Sequence, residues 1–310
     1  MTLETDLLLD RRRLKRRLFL WRTLAVVALV GSLLLAVTNG EGPLLAREHV
    51  ARVTIKGLIT EDREMTEAIA KVARDDSARA LLVIVDSSGG TVAGGESLHG
   101  AIARVAGRKP VVAVLGGTAA SAGYMVAVPA ERIFAREATL TGSIGVKLGL
   151  AEVSGLLDWL GINSETIASG PLKDEPSLTK PLSEQGRAVL QALVADMHDQ
   201  FVEMVATGRK MPEPQVRELA DGRAYTGRQA LKLGLVDAIG GETEARQWLA
   251  EAKQIGTGLA VRDVGQRGLS GWAASESLLT FLVGTIKTVL SQHLSIDGAW
   301  AIWHPSRRGE

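Results

Sequence analysis

"ALLVIVDSSGGTVAGG", residues 80–95, decides how the fold is read. Residues 81–85 are five apolar side chains in a row, with no polar alternation to mark a face turned to water. Such a run is the pattern of a strand buried on both faces of a parallel sheet. It then breaks into Asp86, Ser87, Ser88 and the pair Gly89-Gly90, before a helical pattern over residues 93–107. The same order of strand, small-residue loop and helix recurs in "KPVVAVLGG" (109–117), "GGTAASAG" (116–123) and "SAGYMVAVPA" (121–130). Upstream, "HVARVTIKGLI" (49–59) alternates as a strand, and residues 61–77 place Met65, Ala68, Ile69 and Val72 at helical spacing. Downstream the pattern predicts a strand and turn over 131–146 and a short strand within "GINSETIAS" (161–169). It then predicts a long helix from about Ser183, a turn and short helix within 221–241, and a helix over 242–253. Strands alternating with helices define an α/β domain with a mainly parallel sheet and flanking helices.

Composition narrows the chemistry. A chain of 310 residues with net charge +1 has no overall basic footprint, which argues against nucleic acid as a partner. There is no cysteine, hence no disulfide, thiolate nucleophile or cysteine metal site. The five histidines (His49, His99, His198, His293, His304) include no pair at metal-ligand spacing, and no cofactor or metal is expected.

The near-neutral total hides a charge asymmetry. Residues 1–22 carry seven Lys/Arg against three acids, and "LFLWRTLAVVALVGSLLLAV" (18–37) follows with only Arg22 to interrupt it. A run of about 20 apolar residues is what a helix needs to cross the hydrocarbon core. A basic cluster before it holds the N-terminus in the cytoplasm and exports what comes after. The expected organisation is a cytoplasmic basic segment (1–17), a transmembrane signal anchor (18–37), a linker (38–48), a catalytic domain (49–255) and an extension (256–310). The extension holds an amphipathic or apolar helix at 275–294. The anchor is read as uncleaved, because Ala36 and Thr38 make a poor signal-cleavage site.

In an open parallel sheet, ligands bind beyond the carboxyl ends of the strands. The loops at 86–95 and 116–123 both fall there, and both are rich in small residues. A Gly-Gly pair after a strand lets backbone N–H groups point at a developing oxyanion. Ser121 opens the next helix as a candidate nucleophile, and its small neighbours let a peptide backbone approach while Ala122 offers a second amide. A serine also needs a base. None of the histidines is placed for it, which leaves a lysine made neutral by burial: Lys147, Lys173 or Lys180.

Four motifs in order, "VDSSGG", "TAASAGY", "TGSIGV" and "DGRAYTGRQALKLGLVDAIGG", resemble the signal peptide peptidase A family in its short single-domain form. The resemblance covers about residues 49–252. It implies a Clp/crotonase-like fold and a membrane-anchored serine peptidase. By that resemblance Ser121 is the nucleophile and Lys173, 52 residues later, is the general base. Ser143 orients the lysine, and the amides of Gly89 and Ala122 form the oxyanion hole. It further implies a homo-oligomer, an octameric ring whose neighbouring subunits share serine and lysine. The substrates would be remnant signal peptides and other apolar peptides at the outer face of the cytoplasmic membrane. Three positions depart from the family pattern: Asp86 stands where Asn is usual, Ser88 where Pro is usual, and Ala122 where Gly is usual. The alternatives are a non-catalytic scaffold that binds apolar peptides, or a crotonase-like acyl-CoA enzyme. An export anchor argues against the latter.

Overall fold

The apolar run at 81–85 lies in the middle of an eight-stranded sheet. A computed structural model describes Arg17, residues 20–29, Gly31 and residues 47–265. Strands β1 (His49–Ile59), β2 (Ala78–Gly90), β3 (Val111–Ala120), β4 (Arg132–Ala135), β5 (Leu140–Gly142), β6 (Ala224–Thr226), β7 (Ala238–Ile239) and β8 (Ala260–Asp263) make this sheet. Its order is β6-β5-β3-β2-β1-β8, with β4 joining β3 to β7. Its strand pairs are parallel except β5 with β6.

Both faces of β2 are covered, as the missing alternation requires. Leu81, Val83 and Val85 enter one apolar cluster, while Ala80 and Leu82 enter another on the opposite face. The first cluster is built with α1 (Arg63–Val72), α2 (Val92–Ala106), α3 (Ala122–Ala127) and α5 (Glu184–Arg209). The second packs on Ala245 and Leu249 of α8 (Glu242–Lys253). Three helix starts have a local reason: Asp62, Thr91 and Ser183 accept from backbone N–H groups of the first turns of α1, α2 and α5. The remaining helices are α4 (Ser154–Trp159), α6 (Glu213–Leu219) and α7 (Gly227–Lys232), the last opened by a capping box between Thr226 and Gln229.

The expected strand within residues 161–169 does not form: residues 161–169 are all exposed, with no sheet edge beside them. No apolar residue from 145 through 182 is buried, so this stretch has no core face to organise a ladder. Further differences lie later in the chain. Helix α6 and the short strands β6 and β7 are not expected from the pattern, and β8 lies beyond residue 255, with Gly265 ending the compact unit. Of the expected membrane anchor at 18–37, residues 20–29 are helical and the rest falls mainly outside the described residues. No helix among the described residues is long and apolar enough to cross a membrane. The basic segment 1–16 and the helix expected at 275–294 lie outside the described residues.

Candidate active site

β2 and β3 run side by side from Leu81↔Val111 to Val85↔Leu115, and then the register shifts so that Ser87 faces Ala119. The extra residues Gly116–Thr118 bulge on β3. Asp86 holds the bulge: its Oδ1 accepts from the Thr118 N–H at 3.1 Å, and Thr139 Oγ1 donates to the Gly116 carbonyl at 2.7 Å. The Asp86 carboxylate is thus engaged on the neighbouring strand and does not line the cleft described below.

Beyond the bulge the chain reverses sharply at Ser121, whose φ is 54° and ψ −125°. A non-glycine residue at positive φ is uncommon and is kept only where its surroundings over-determine it. Here the Ser121 N–H donates to the Gly142 carbonyl at 2.9 Å, and its own carbonyl accepts from Tyr124 and Met125 at 2.9 Å. Tyr124 is fully buried, and its hydroxyl donates to the Leu235 carbonyl at 2.7 Å. Ser121 stands at the N-cap of α3, where a serine hydroxyl ordinarily accepts from the helix. It makes no such bond. Ala122 is the first helical residue, so its N–H has no acceptor within the helix. With six residues, α3 contributes directed amides more than a full macrodipole.

Gly89 closes against this turn. Its φ is +124°, and a Cβ on it would stand 2.9 Å from Ser121 Cβ and 3.3 Å from Ser121 Oγ. Only glycine fits both the backbone and the approach. The Gly89 N–H donates to Ser87 Oγ at 3.1 Å, and the Ser87 hydroxyl donates to the Gly57 carbonyl of β1 at 2.6 Å. Ser87 is buried.

Ser121, Gly89 and Ser143 share one open cleft of about 1160 Å³, and Ala122 is buried behind Ser121. Ser143 has φ 47°, and its hydroxyl donates to the Gly222 carbonyl at 3.2 Å. Of the lysines considered from sequence, Lys147 lines the cleft. Lys173 does not: it is exposed, on a turn closed by its own N–H donating to the Gly170 carbonyl at 3.1 Å. Lys180 is engaged with Asp174 at 3.1 Å. Leu148, Leu150, Leu182, Leu190 and Val194 add apolar surface to the lining, beside Arg187 and Gln191 of α5.

His198 also lines this cleft, a position its helical pattern did not reveal. Its Nε2 lies 2.8 Å from the Ala220 carbonyl; a carbonyl only accepts, so this nitrogen carries the proton. A serine, histidine and aspartate do meet elsewhere, at the opposite end of the sheet. Ser77 Oγ lies 3.3 Å from His49 Nδ1, and His49 Nε2 lies 3.7 Å from Asp75. There the Ser77 hydroxyl donates directly to Asp75 Oδ1 at 2.6 Å, which commits it to a turn. No group of three or more His, Asp or Glu side chains that could hold a metal occurs among the described residues.

The family described as Peptidase family S49 matches residues 103–256. A candidate protease of Synechocystis sp. is 40% identical over 205 residues, 66% of this chain and 74% of that protein. A candidate signal peptide peptidase SppA of Enterococcus faecium is 38% identical over 218 residues, 70% of this chain and 60% of that protein. Among solved structures, ClpP1 from Listeria monocytogenes aligns with TM-score 0.41 at 18% identity, over 63% of this chain and 93% of that one.

Proposed function

The chain belongs to peptidase family S49, in the SppA group of serine peptidases, and on that premise we propose that it works through a Ser-Lys dyad of Ser121 and Lys173. The observation that carries the nucleophile is the uncommitted hydroxyl: Ser121 occupies a capping position, makes no capping bond, and faces Gly89 in the cleft. Ser121 Oγ attacks the scissile carbonyl as its proton passes to a neutral Lys173 Nζ. The Ala122 and Gly89 amides take the oxyanion, the Gly89 N–H exchanging its bond to Ser87 for one to the substrate. Lysine then gives its proton to the leaving amine and, neutral again, activates the water that cleaves the acyl-enzyme.

Lys173 reaches a nucleophile in a neighbouring copy. Its exposure, and its absence from the lining of its own cleft, favour a homo-oligomer in which subunits share the dyad. Exposed Trp159 (81%) and Ile167 (95%), with Leu156 and Leu160, give the same stretch an apolar surface suited to association. Following the family resemblance, the assembly is a ring of eight. Substrates are remnant signal peptides and other apolar peptides, which the leucines among the cleft residues suit. The segment 18–37 anchors the enzyme in the cytoplasmic membrane, with the N-terminus inside and the catalytic domain outside. Protease added to the outer face should then digest residues beyond about 45, the point predicted by the positive-inside rule. A second assignment of the base has one observation in its favour: Lys147 lines the cleft of its own chain.

Covalent labelling with a fluorophosphonate tests the dyad, read beside hydrolysis of an unstructured apolar peptide. Wild type should label, and Ser121→Ala should neither label nor turn over. Lys173→Ala should lose both rates, while Lys147→Ala keeps them. Turnover by Ser121→Ala refutes the nucleophile, and a reversed lysine pattern moves the base to Lys147.

A further inference from the structure

Two residues after Lys173, a carboxylate is buried against the start of helix α5. The Glu175 side chain is 6% exposed, and its Oε1 lies 3.9 Å from Lys180 Nζ. Its Oε2 is buried with no hydrogen-bond partner among the described residues. Facing it is Gly186, in the first turn of α5. A methyl at that position would come within 2.7 Å of Oε2 and 2.9 Å of Cδ. The first N–H groups of a helix have no acceptor inside it, and Ser183 Oγ takes that of Gly186 at 2.9 Å. Glu175 therefore sets its carboxyl group at the positive end of a 26-residue helix. Lys180 draws the same loop together from its far side, bonding Asp174 Oδ2 at 3.1 Å.

An orphaned carboxylate oxygen costs stability, so the core gains nothing from it. What it delivers is position. The rest of the segment from 145 to 182 has no buried residue, and Glu175 is among its most enclosed side chains. We infer that Glu175, admitted by the missing side chain at Gly186, is a positioning residue that clamps the Lys173 turn onto α5 and so fixes where the base stands. This rests on the assignment of Lys173 as the base. Displacing the carboxylate should move Nζ relative to the neighbouring serine without removing any group that reacts.

Gly186→Ala is the sharp variant, because alanine suits a helix better than glycine and its methyl evicts the carboxylate. It should lower kcat on the order of a hundredfold, the cost of about 1 Å of misplacement, with KM near wild type. The alkaline limb of the pH–rate profile should shift with it, since the lysine is held in a new environment. Glu175→Ala should do the same, and the double variant should fall no lower than the worse single. The clamp is overturned if folded Gly186→Ala keeps wild-type kcat and pH profile, or if the two losses multiply in the double variant. Should Glu175→Ala not fold, Gly186→Ala alone carries the test. Lys173→Ala is run beside them. Its loss of activity with full activity in Gly186→Ala refutes the clamp alone, whereas its full activity refutes the base and the clamp together.

Discussion

Replacing Gly89 by alanine probes the contact on which the site is built. At φ +124° an L side chain is strained, which costs on the order of 1–3 kcal/mol. The added Cβ would stand 2.9 Å from Ser121 Cβ, about 0.6 Å inside a carbon–carbon contact of about 3.5 Å. Ser121 cannot retreat freely, since its N–H and carbonyl are tied to Gly142, Tyr124 and Met125. The turn must therefore shift by several tenths of an ångström, and the oxyanion amide with it. Loss of one such donor costs about 10²–10³ in kcat, and misplacement of the nucleophile adds to it. Stability should fall by only a few degrees per kcal/mol for a domain of this size, about 2–12 °C in all. The control is Gly234→Ala, where φ is +77° and the nearest atom, Met211 Sδ, is 3.9 Å away. It carries backbone strain and nothing else. Peptide hydrolysis and fluorophosphonate labelling, each beside a thermal melt, separate the two effects. Gly89→Ala should be folded and nearly inactive, and Gly234→Ala destabilised and active. Equal activity in the two variants refutes the reasoning.

Arg209 is buried and doubly bonded to Asp237, at 2.6 and 3.0 Å, which in turn accepts from the Ile133 N–H at 2.7 Å. Arg209→Met strands that carboxylate and should cost about 3 kcal/mol in denaturant unfolding, the cost of breaking a buried pair. Tyr124→Phe, by contrast, removes one hydroxyl and leaves the Leu235 carbonyl without its donor; about 1–2 kcal/mol should be lost and turnover retained. Burial lowers the His99 pKa from its ordinary 6.5. A base with a depressed folded pKa gives stability that is full above 6.5 and lost as pH falls toward the lowered value. The melting temperature should therefore drop as pH falls below 6.5, and His99→Gln should flatten that drop.

Where burial is one-sided or complete, the residues announced their structure. β1 spans the residues its alternation marks, the run at 81–85 lies in a doubly covered strand, and α5 begins one residue after its predicted Ser183 start. Ser121 and Gly89 were legible because each follows a buried strand with a run of small residues. The bond from the Gly89 amide to Ser87 was not, since it depends on a backbone angle that no side-chain pattern encodes. The lysine was the hardest part. From 145 to 182 no apolar residue is buried, so residues such as Trp159 and Ile167 carry no period relative to a core; the pattern gives no sign of α4 and suggests a strand at 161–169 that does not form. Strand β8 was missed for a different reason: four residues in a glycine-punctuated stretch are too short to show alternation.

Strand β8 also bears on where the catalytic domain can be cut. It pairs with β1 from His49↔Ala260 to Arg52↔Asp263, and Arg52 grips Asp263 at 2.7 Å and Glu242 at 3.2 Å. A recombinant protein ended at residue 255 keeps every residue proposed for chemistry. It leaves β1 with a bare ladder, and an unpaired edge invites strands from other molecules. Such a fragment should be lost to aggregation rather than to any defect in catalysis, and ten more residues, to Gly265, should restore an enzyme that does not aggregate.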